Sequence, residues 1–237
     1  IPRERIGFSK VSAEMPFFKE SMYVEEELRQ ELNKVLESGN QAYIDAVINR
    51  VFDDEGTLID AASVARERMR MMLLTTGVIN MVSNGQTYTY DYGLSSGQKP
   101  TVGTSWSNTA ADIIDDIRTW QDEREDETGV RPTRAICSRK TFGYILANTT
   151  IRNGVHGNSA AAPINEKQAK QYLLDELDLE VVIYTKRYKD EEGATKAFVP
   201  DDTFVLFPAG DLGNTWFGTT PEESDLMASS SVDNVSI

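Results

Sequence analysis

The sequence predicts an α+β fold, and three observations carry that expectation. One long helical period is followed directly by a β-hairpin, and the second half of the 237-residue chain then alternates short helices with short strands. Helical and strand-rich stretches that are each apolar on one side must bury those sides together, which gives a sheet with helices packed on it.

Taken in order, residues 1–23 mix Pro2, Gly7 and Pro16 with Phe8, Met15, Phe17 and Phe18 and show no helical period, so an arm or loop is expected. From Val24, Leu28, Leu32, Val35 and Leu36 recur at helix spacing behind Glu25, Glu26 and Glu27, acids that suit the positive end of a helix dipole, and Gly39 closes the run. A second helical stretch carries Ile44, Val47, Ile48 and Val51 on one face. The clearest helix is expected to start at Thr57, whose spacing to Asp60 matches a capping box. Leu58, Ala62, Ala65, Met69, Met72 and Thr76 then step by four and three until Gly77. Roughly 20 residues at 1.5 Å each make a rod of about 30 Å. Met69, Met71 and Met72 fit either irregular core gaps or a binding stripe.

Val78–Val82 and Gln86–Tyr92 flank Ser83-Asn84-Gly85, a hairpin signal, and Tyr88, Tyr90 and Tyr92 fall on one face because strand side chains alternate. That face is expected to pack against a core or a neighbouring subunit. Gly93 to Ser105 is polar and rich in Gly and Ser, which places a boundary there. Beyond it come a helix with Ala110, Ile113, Ile114 and Ile117, a strand at Arg134–Cys137, and a helix with Phe142, Ile145 and Leu146. Asn148 to Pro163 has no apolar period and is expected to be a long mobile loop at an inter-subunit surface. Asn165 caps a helix to about Leu177, a strand covers Leu179–Tyr184, and Asp190–Gly193 turns the chain back into Thr195–Val199. Thr203–Phe207 and Thr215–Phe217 complete the expected sheet.

Composition removes several function classes. There are 24 Lys and Arg against 38 Asp and Glu, a net charge of −14, and a surface of that sign repels the phosphates a nucleic-acid binder must neutralise. No segment approaches the roughly 18 consecutive apolar residues of a membrane span. The lone Cys137 sits in an apolar stretch and reads as a buried thiol, and the lone His156 lies among Gly and Asn, so a Cys137/His156 dyad lacks a local orienting group. No P-loop, G-x-G-x-x-G or H-E-x-x-H is present. Asp115-Asp116 and Asp201-Asp202 could hold a hard cation, but adjacent acids in so acidic a chain are read first as turns or solvated faces. No catalytic, cofactor-binding or metal residue is therefore assigned, and no cofactor is expected.

The stretch Phe198-Val199-Pro200-Asp201-Asp202-Thr203-Phe204-Val205-Leu206, with Trp216-Phe217-Gly218 after it, resembles a segment of the major capsid proteins of tailed bacteriophages, of the lambda major head protein type. Physically, Pro200 with two aspartates makes a tight turn that launches a buried strand. The long helix ending Leu73-Leu74-Thr75-Thr76-Gly77, its hairpin and the acidic helix at Asp112–Trp120 fall in the same order as that family's spine helix, peripheral strands and first axial-domain helix. The resemblance implies a tailed-phage capsid fold. An extended loop, spine helix and peripheral hairpin would occupy 1–105, a compact helix-flanked axial-type lobe 106–219, and a return segment 220–237.

It also implies a function: a head-protein subunit that self-assembles through pentamers and hexamers into an icosahedral shell. Scaffold, portal and decoration proteins would be partners, and the DNA would be enclosed without sequence-specific binding. Assembly in the bacterial host cytoplasm and residence in the virion follow, with no membrane involved. The chain is expected to be an internal fragment that does not close shells by itself. Two alternatives stay open: an acidic metal-dependent enzyme using Asp201, Asp202 and Asp211, and the shell of a cellular nanocompartment.

Overall fold

The computed structural model describes residues 30, 34, 41–83, 86–157, 162–190, 192–215 and 217–219. The expected arm, most of the helix from Val24, Trp216 and the segment 220–237 lie outside the described residues.

Helix α1 runs unbroken over Gln41–Thr76, 36 residues or about 54 Å at the usual rise. This overturns the helix start expected at Thr57. No proline separates the two apolar runs, and Gly56 costs an interior helix only about 1 kcal/mol, so the helix continues through it. The C-terminus is set by Gly77, whose φ of +75° is left-handed and whose N–H donates to the Leu73 carbonyl at 2.9 Å. A Cβ at Gly77 would lie 2.4 Å from Leu94, so this position requires glycine both for its backbone and for the close approach of the following segment.

The hairpin forms as expected. Strands β1 (Val78–Ser83) and β2 (Gln86–Asp91) pair antiparallel with Ser83 opposite Gln86, leaving a two-residue connection. Ile79 pairs with Tyr90 and Met81 with Tyr88, so one face collects the apolar side chains; Met81 is buried and both tyrosines are half-buried. Tyr92 leaves that ladder: it follows the end of β2 and is 61% exposed. A single 3-10 turn, Ser96–Gln98, interrupts the polar stretch that follows.

The rest of the described chain builds one core. Helix α2 (Ile113–Thr128) starts on Asp112, whose side chain accepts from the Asp115 N–H, and ends on Gly129. After it come strand β3 (Arg134–Cys137), helix α3 (Arg139–Ala147), helix α4 (Thr149–His156), helix α5 (Glu166–Leu177) and strand β4 (Glu180–Ile183). The chain closes with the ribbon β5 (Arg187–Lys189) and β6 (Thr195–Ala197), and with strand β7 (Phe204–Phe207).

The sheet has the order β4-β3-β7, with β3 parallel to β4 and antiparallel to β7. Register places Ala135 beside Val181 and Leu206, and Cys137 beside Ile183 and Phe204. That face joins Ile113 and Ile117 of α2, Phe142 and Ile145 of α3, Ile151 of α4, and Ala169 and Leu173 of α5 in a single cluster. Stretches of apolar periodicity 3.6 and 2 thus meet at one interface, as the α+β expectation requires.

Three sequence expectations fail here. The loop expected over Asn148–Pro163 contains α4: Asn148 accepts from the Ile151 N–H, and Ile151 is fully buried. One anchor and one cap are enough to hold a helix of two turns once a core exists to receive the anchor. Second, Thr195–Val199 does not join the sheet; β6 pairs only with β5, a strand too short to show a period in sequence. Third, Thr215 and Phe217 carry no strand.

Candidate functional site

The residues weighed for chemistry in the sequence are held in structural roles. Cys137 is fully buried at the end of β3, and desolvation pushes its thiol up to about 12, which disfavours the thiolate that nucleophilic attack needs. His156 closes the last turn of α4, with Nε2 at 3.4 Å from the Pro163 carbonyl. Asp116 accepts from the Trp106 indole N–H at 2.8 Å, on the helix that Asp112 caps.

The Pro200-Asp201-Asp202 turn docks onto the start of α3. The Ser138 hydroxyl, itself the cap of α3, donates to Asp201 at 2.8 Å. Asp202, at a left-handed φ of 60°, donates its N–H to the Thr141 hydroxyl at 3.0 Å and accepts from Lys140 at 3.0 Å and the Tyr144 hydroxyl at 2.9 Å. Hydrogen bonding from Lys140 and then Tyr144 holds the Asp202 carboxyl below its ordinary range. One hydrogen bond to Asp201 and three at Asp202 thus fix where β7 begins. Asp211 stands exposed at a distance in sequence from this pair, and among the described residues no group of three His, Cys, Asp or Glu is placed to hold a metal ion.

A seam joins α1 to the ribbon and to the stretch after β7. Lys186 pairs with Glu67 at 3.1 Å, and Arg68 lies over the Tyr188 ring at 4.9 Å. Arg70 donates to the Thr215 hydroxyl at 2.9 Å, while Arg66 lies 5.8 Å from the Phe217 ring centre. Tyr188 in turn packs on Phe198, ring centres 4.9 Å apart. Exposed pairs of this kind contribute at most about 1 kcal/mol each, so the seam orients α1 more than it holds it.

Between the end of α1 and the core lies an open cavity of about 660 Å³, lined by Leu74, residues 97–102, Trp106, Trp120, Tyr144 and Phe204 among others. Trp106 stacks on Trp120 at 5.9 Å and meets Phe204 edge-on at 5.2 Å, so its inner wall is aromatic and rigid. Its lining contains neither histidine nor cysteine.

What the described surface offers instead is apolar area. Ile59 and Val64 on α1, Val82 and Tyr92 on the hairpin, and Leu174 and Val182 beside the β4 edge are each at least 39% exposed. Large apolar side chains left in water on α1, the hairpin, α5 and β4 suit contacts with other protein surfaces.

Sequence reasoning missed two fully buried polar anchors of the core, Gln121 and Asn148. Gln121 is fully buried on α2, where its amide donates to the Pro132 carbonyl at 2.7 Å and the Leu177 carbonyl at 3.1 Å. Asn148 is fully buried as well and donates to the Ala111 carbonyl at 2.7 Å. Gln121 lies four residues after Ile117 on the apolar stripe, and that spacing was the available signal.

Comparison with known proteins gives the following. The model of a family described as phage major capsid protein E matches residues 1–234. No curated protein matches the chain. Among solved structures, the chain resembles the proposed capsid protein of a prophage of E. coli CFT073, with 18% identity and a TM-score of 0.51 over 79% of this chain and 54% of that one. A phage-related protein from Bordetella bronchiseptica RB50 is similar at 15% identity and a TM-score of 0.48, over 73% of this chain and 48% of that one. The chain therefore spans about half the length of each of these structures. At such identity the first likeness concerns the fold alone.

Proposed function

From the premise that this chain belongs to the phage major capsid protein E family, we propose that it is a structural subunit of the icosahedral shell that encloses phage DNA. The observation that carries the reading is the family match over residues 1–234; the exposed apolar positions on α1, the hairpin and the β4 edge agree with it. Such a subunit acts by binding copies of itself in ring-forming geometry, and pentamers and hexamers are the units that close an icosahedral surface.

The division of labour follows the chain. Of the described residues, those up to 105 contribute the long helix and hairpin and those from 106 to 219 the compact axial-type lobe. The net charge of −14 suits a wall that keeps DNA packed without adhering to it, since phosphate contacts need lysine and arginine in excess. Scaffold, portal and decoration proteins are further partners of such a shell, which assembles in the host cytoplasm and resides in the virion. Its work is structural, with no reaction catalysed. Neither alternative draws on a specific feature of the molecule: Asp201 and Asp202 are engaged by Ser138, Lys140 and Tyr144, and nothing in the described residues favours a cellular compartment over a phage head.

Electron microscopy tests the reading. The complete gene product carrying this sequence, co-expressed with the proteins encoded beside it, is expected to yield closed icosahedral particles. Persistent monomers, with or without an enzymatic turnover, would contradict it.

A further inference from the structure

We propose that the outer edge of β2 is a docking surface for the same edge of a second copy of this chain, the two strands pairing antiparallel about a two-fold axis at Thr89; the proposal rests on the shell-subunit reading. An unpaired edge, its self-complementary register and its near absence of charge lead to it.

The hairpin register shows which main-chain groups are free. The Tyr92 N–H donates to the Gly77 carbonyl at 3.0 Å, so Gly77 and Tyr92 form a hydrogen-bonded pair. Such pairs alternate along an antiparallel ladder. Ile79 with Tyr90, Met81 with Tyr88 and Ser83 with Gln86 are therefore the inward-bonded pairs, and the N–H and C=O of Thr87, Thr89 and Asp91 point outward. β1 and β2 form a two-stranded sheet, so no strand of it lies beyond β2. Among the described residues no group bonds to the main chain of Thr87 or Thr89, and both of these, with Gln86 and Asp91, are exposed. The edge of β1 differs: the Thr76 hydroxyl accepts from the Val78 N–H at 3.2 Å and donates to the Val78 carbonyl at 3.0 Å, which occupies its start.

Edge strands that must stay single carry lysine, proline or a bulge. β2 reads Gln-Thr-Tyr-Thr-Tyr-Asp, and its register with β1 runs without a bulge over all six pairs. A two-stranded ribbon is marginal by itself, and a further strand completes it. Strand addition supplies main-chain hydrogen bonds for affinity, while the alternating side chains set the register.

The complementary surface is the same edge of a second copy. An antiparallel pair centred on Thr89 sets Thr89 opposite Thr89 and Thr87 opposite Asp91, so every outward residue of both strands is used and no like charges meet. On the other face, Tyr88 of each copy falls beside Tyr90 of the other. The apolar face built by Ile79, Met81, Tyr88 and Tyr90 then continues across four strands, and Tyr92, 61% exposed in the single chain, gains Gln86 of the second copy as a neighbour. Charge favours this place as well. Two copies of net charge −14 repel each other, yet residues 78–92 carry a single charged side chain, Asp91, so the approach costs least here. Nucleic acid finds no cation on this edge. Pairing of one edge with itself is isologous, and it joins subunits across the two-fold axes that lie between the rings of an icosahedral surface.

The test uses the complete gene product under conditions where the wild type forms shells. Thr89→Cys brings one thiol from each copy to the axis, with Cα atoms about 5.5 Å apart as in a hydrogen-bonded pair. Covalent dimers on oxidation, or with a short thiol crosslinker, are expected at least tenfold above the wild type, whose Cys137 is buried. Thr87→Cys, about 14 Å from its equivalent, is expected to stay at the wild-type level. Thr89→Pro removes the outward N–H without touching the bonds to β1, so it is expected to melt within about 4 °C of the wild type and yet lower shell yield at least tenfold, by sedimentation and electron microscopy. Thr89→Ala also loses the 3.3 Å bond to Asn80 but keeps the N–H, and is expected to form shells normally. If Thr89→Pro fails to fold, the Thr89→Cys linkage decides alone. Absence of that linkage, or normal shells from folded Thr89→Pro, overturns the proposal and leaves the shell function standing. Amides of Thr87 and Thr89 already protected from hydrogen exchange in the free monomer overturn it too, since another segment of the same chain is then the occupant. A wild type that forms no particles removes the shell reading itself, and the proposal with it.

Discussion

The compact lobe and the long helix of this protein use apolar residues in opposite ways. Between Trp106 and Leu206 the fully buried side chains include Ile113, Ile117, Phe142, Ile145, Ile151 and Leu173, all in one cluster. Along residues 59–76 of α1 no side chain is buried, and Ile59 and Val64 lie 53% and 39% exposed. A helix this long gains little from propensity alone, because helix stability in proteins comes mainly from packing an apolar face. The lobe is thus stabilised by its own contacts, whereas α1 and its hairpin, a two-stranded ribbon of the kind that is marginal in isolation, depend on what they meet. For a shell subunit the difference makes sense: one part supplies a stable body, and the other supplies surface that neighbouring copies complete.

The comparison is sharpened most by truncating one apolar residue from each region. Ile117→Ala removes a fully buried side chain and is expected to cost about 2–5 kcal/mol in denaturant unfolding, while Val64→Ala is expected to stay within about 0.5 kcal/mol. Equal losses at the two sites would break the contrast.

Polar anchoring comes next. Asn148→Ala removes the α4 cap and strands the buried Ala111 carbonyl, and a loss of about 1–3 kcal/mol is expected by the same measurement. At the junction of the two regions, Gly77→Ala forces a left-handed alanine toward Leu94 and is expected to cost about 1–3 kcal/mol. If it costs nothing, the helix end is free to move and the junction is not fixed by that glycine.

Cys137 reports on the lobe without any substitution. Buried and with its thiol pushed up to about 12, it is expected to resist thiol reagents in the native protein and to react only as denaturant unfolds the core. The smallest effect concerns pH. Asp202 has a carboxyl lowered by Lys140 and Tyr144, so its contribution to stability is present above the ordinary carboxylate value of about 3.9 and is lost as pH falls through its lower folded value. Asn tolerates the same left-handed backbone, so Asp202→Asn isolates the charge. A small deficit against the wild type is expected at pH 6–7, shrinking below about pH 4; since the Lys140 pair is mostly exposed, salt should reduce it. A deficit that grows in acid would contradict the assigned bonds.

Much of the lobe was legible because its elements carry strong local signals. Arg134–Cys137 is an uninterrupted apolar strand behind Arg134, and Asn165 with Gln168 forms a reciprocal capping box, so both boundaries agree with the structure. The resemblance carried by residues 198–206 and the order of elements points to tailed-phage capsid proteins, and the family match agrees. What escaped depended on contacts distant in sequence. The capping-box spacing at Thr57 was genuine but did not stop a helix lacking a proline. Helix α4 exists because Ile151 finds a core and Asn148 finds Ala111, 37 positions away.

Hydrogen exchange of the complete gene product, free and assembled, tests the central contrast most directly. Amides of the buried lobe helices α2 and α5 and of strand β3 are expected to be strongly protected in both states, while those of residues 59–92 gain protection on assembly by at least tenfold. Equal protection of residues 59–92 in the free and assembled protein would contradict the account, because the long helix and hairpin would then be complete without neighbours.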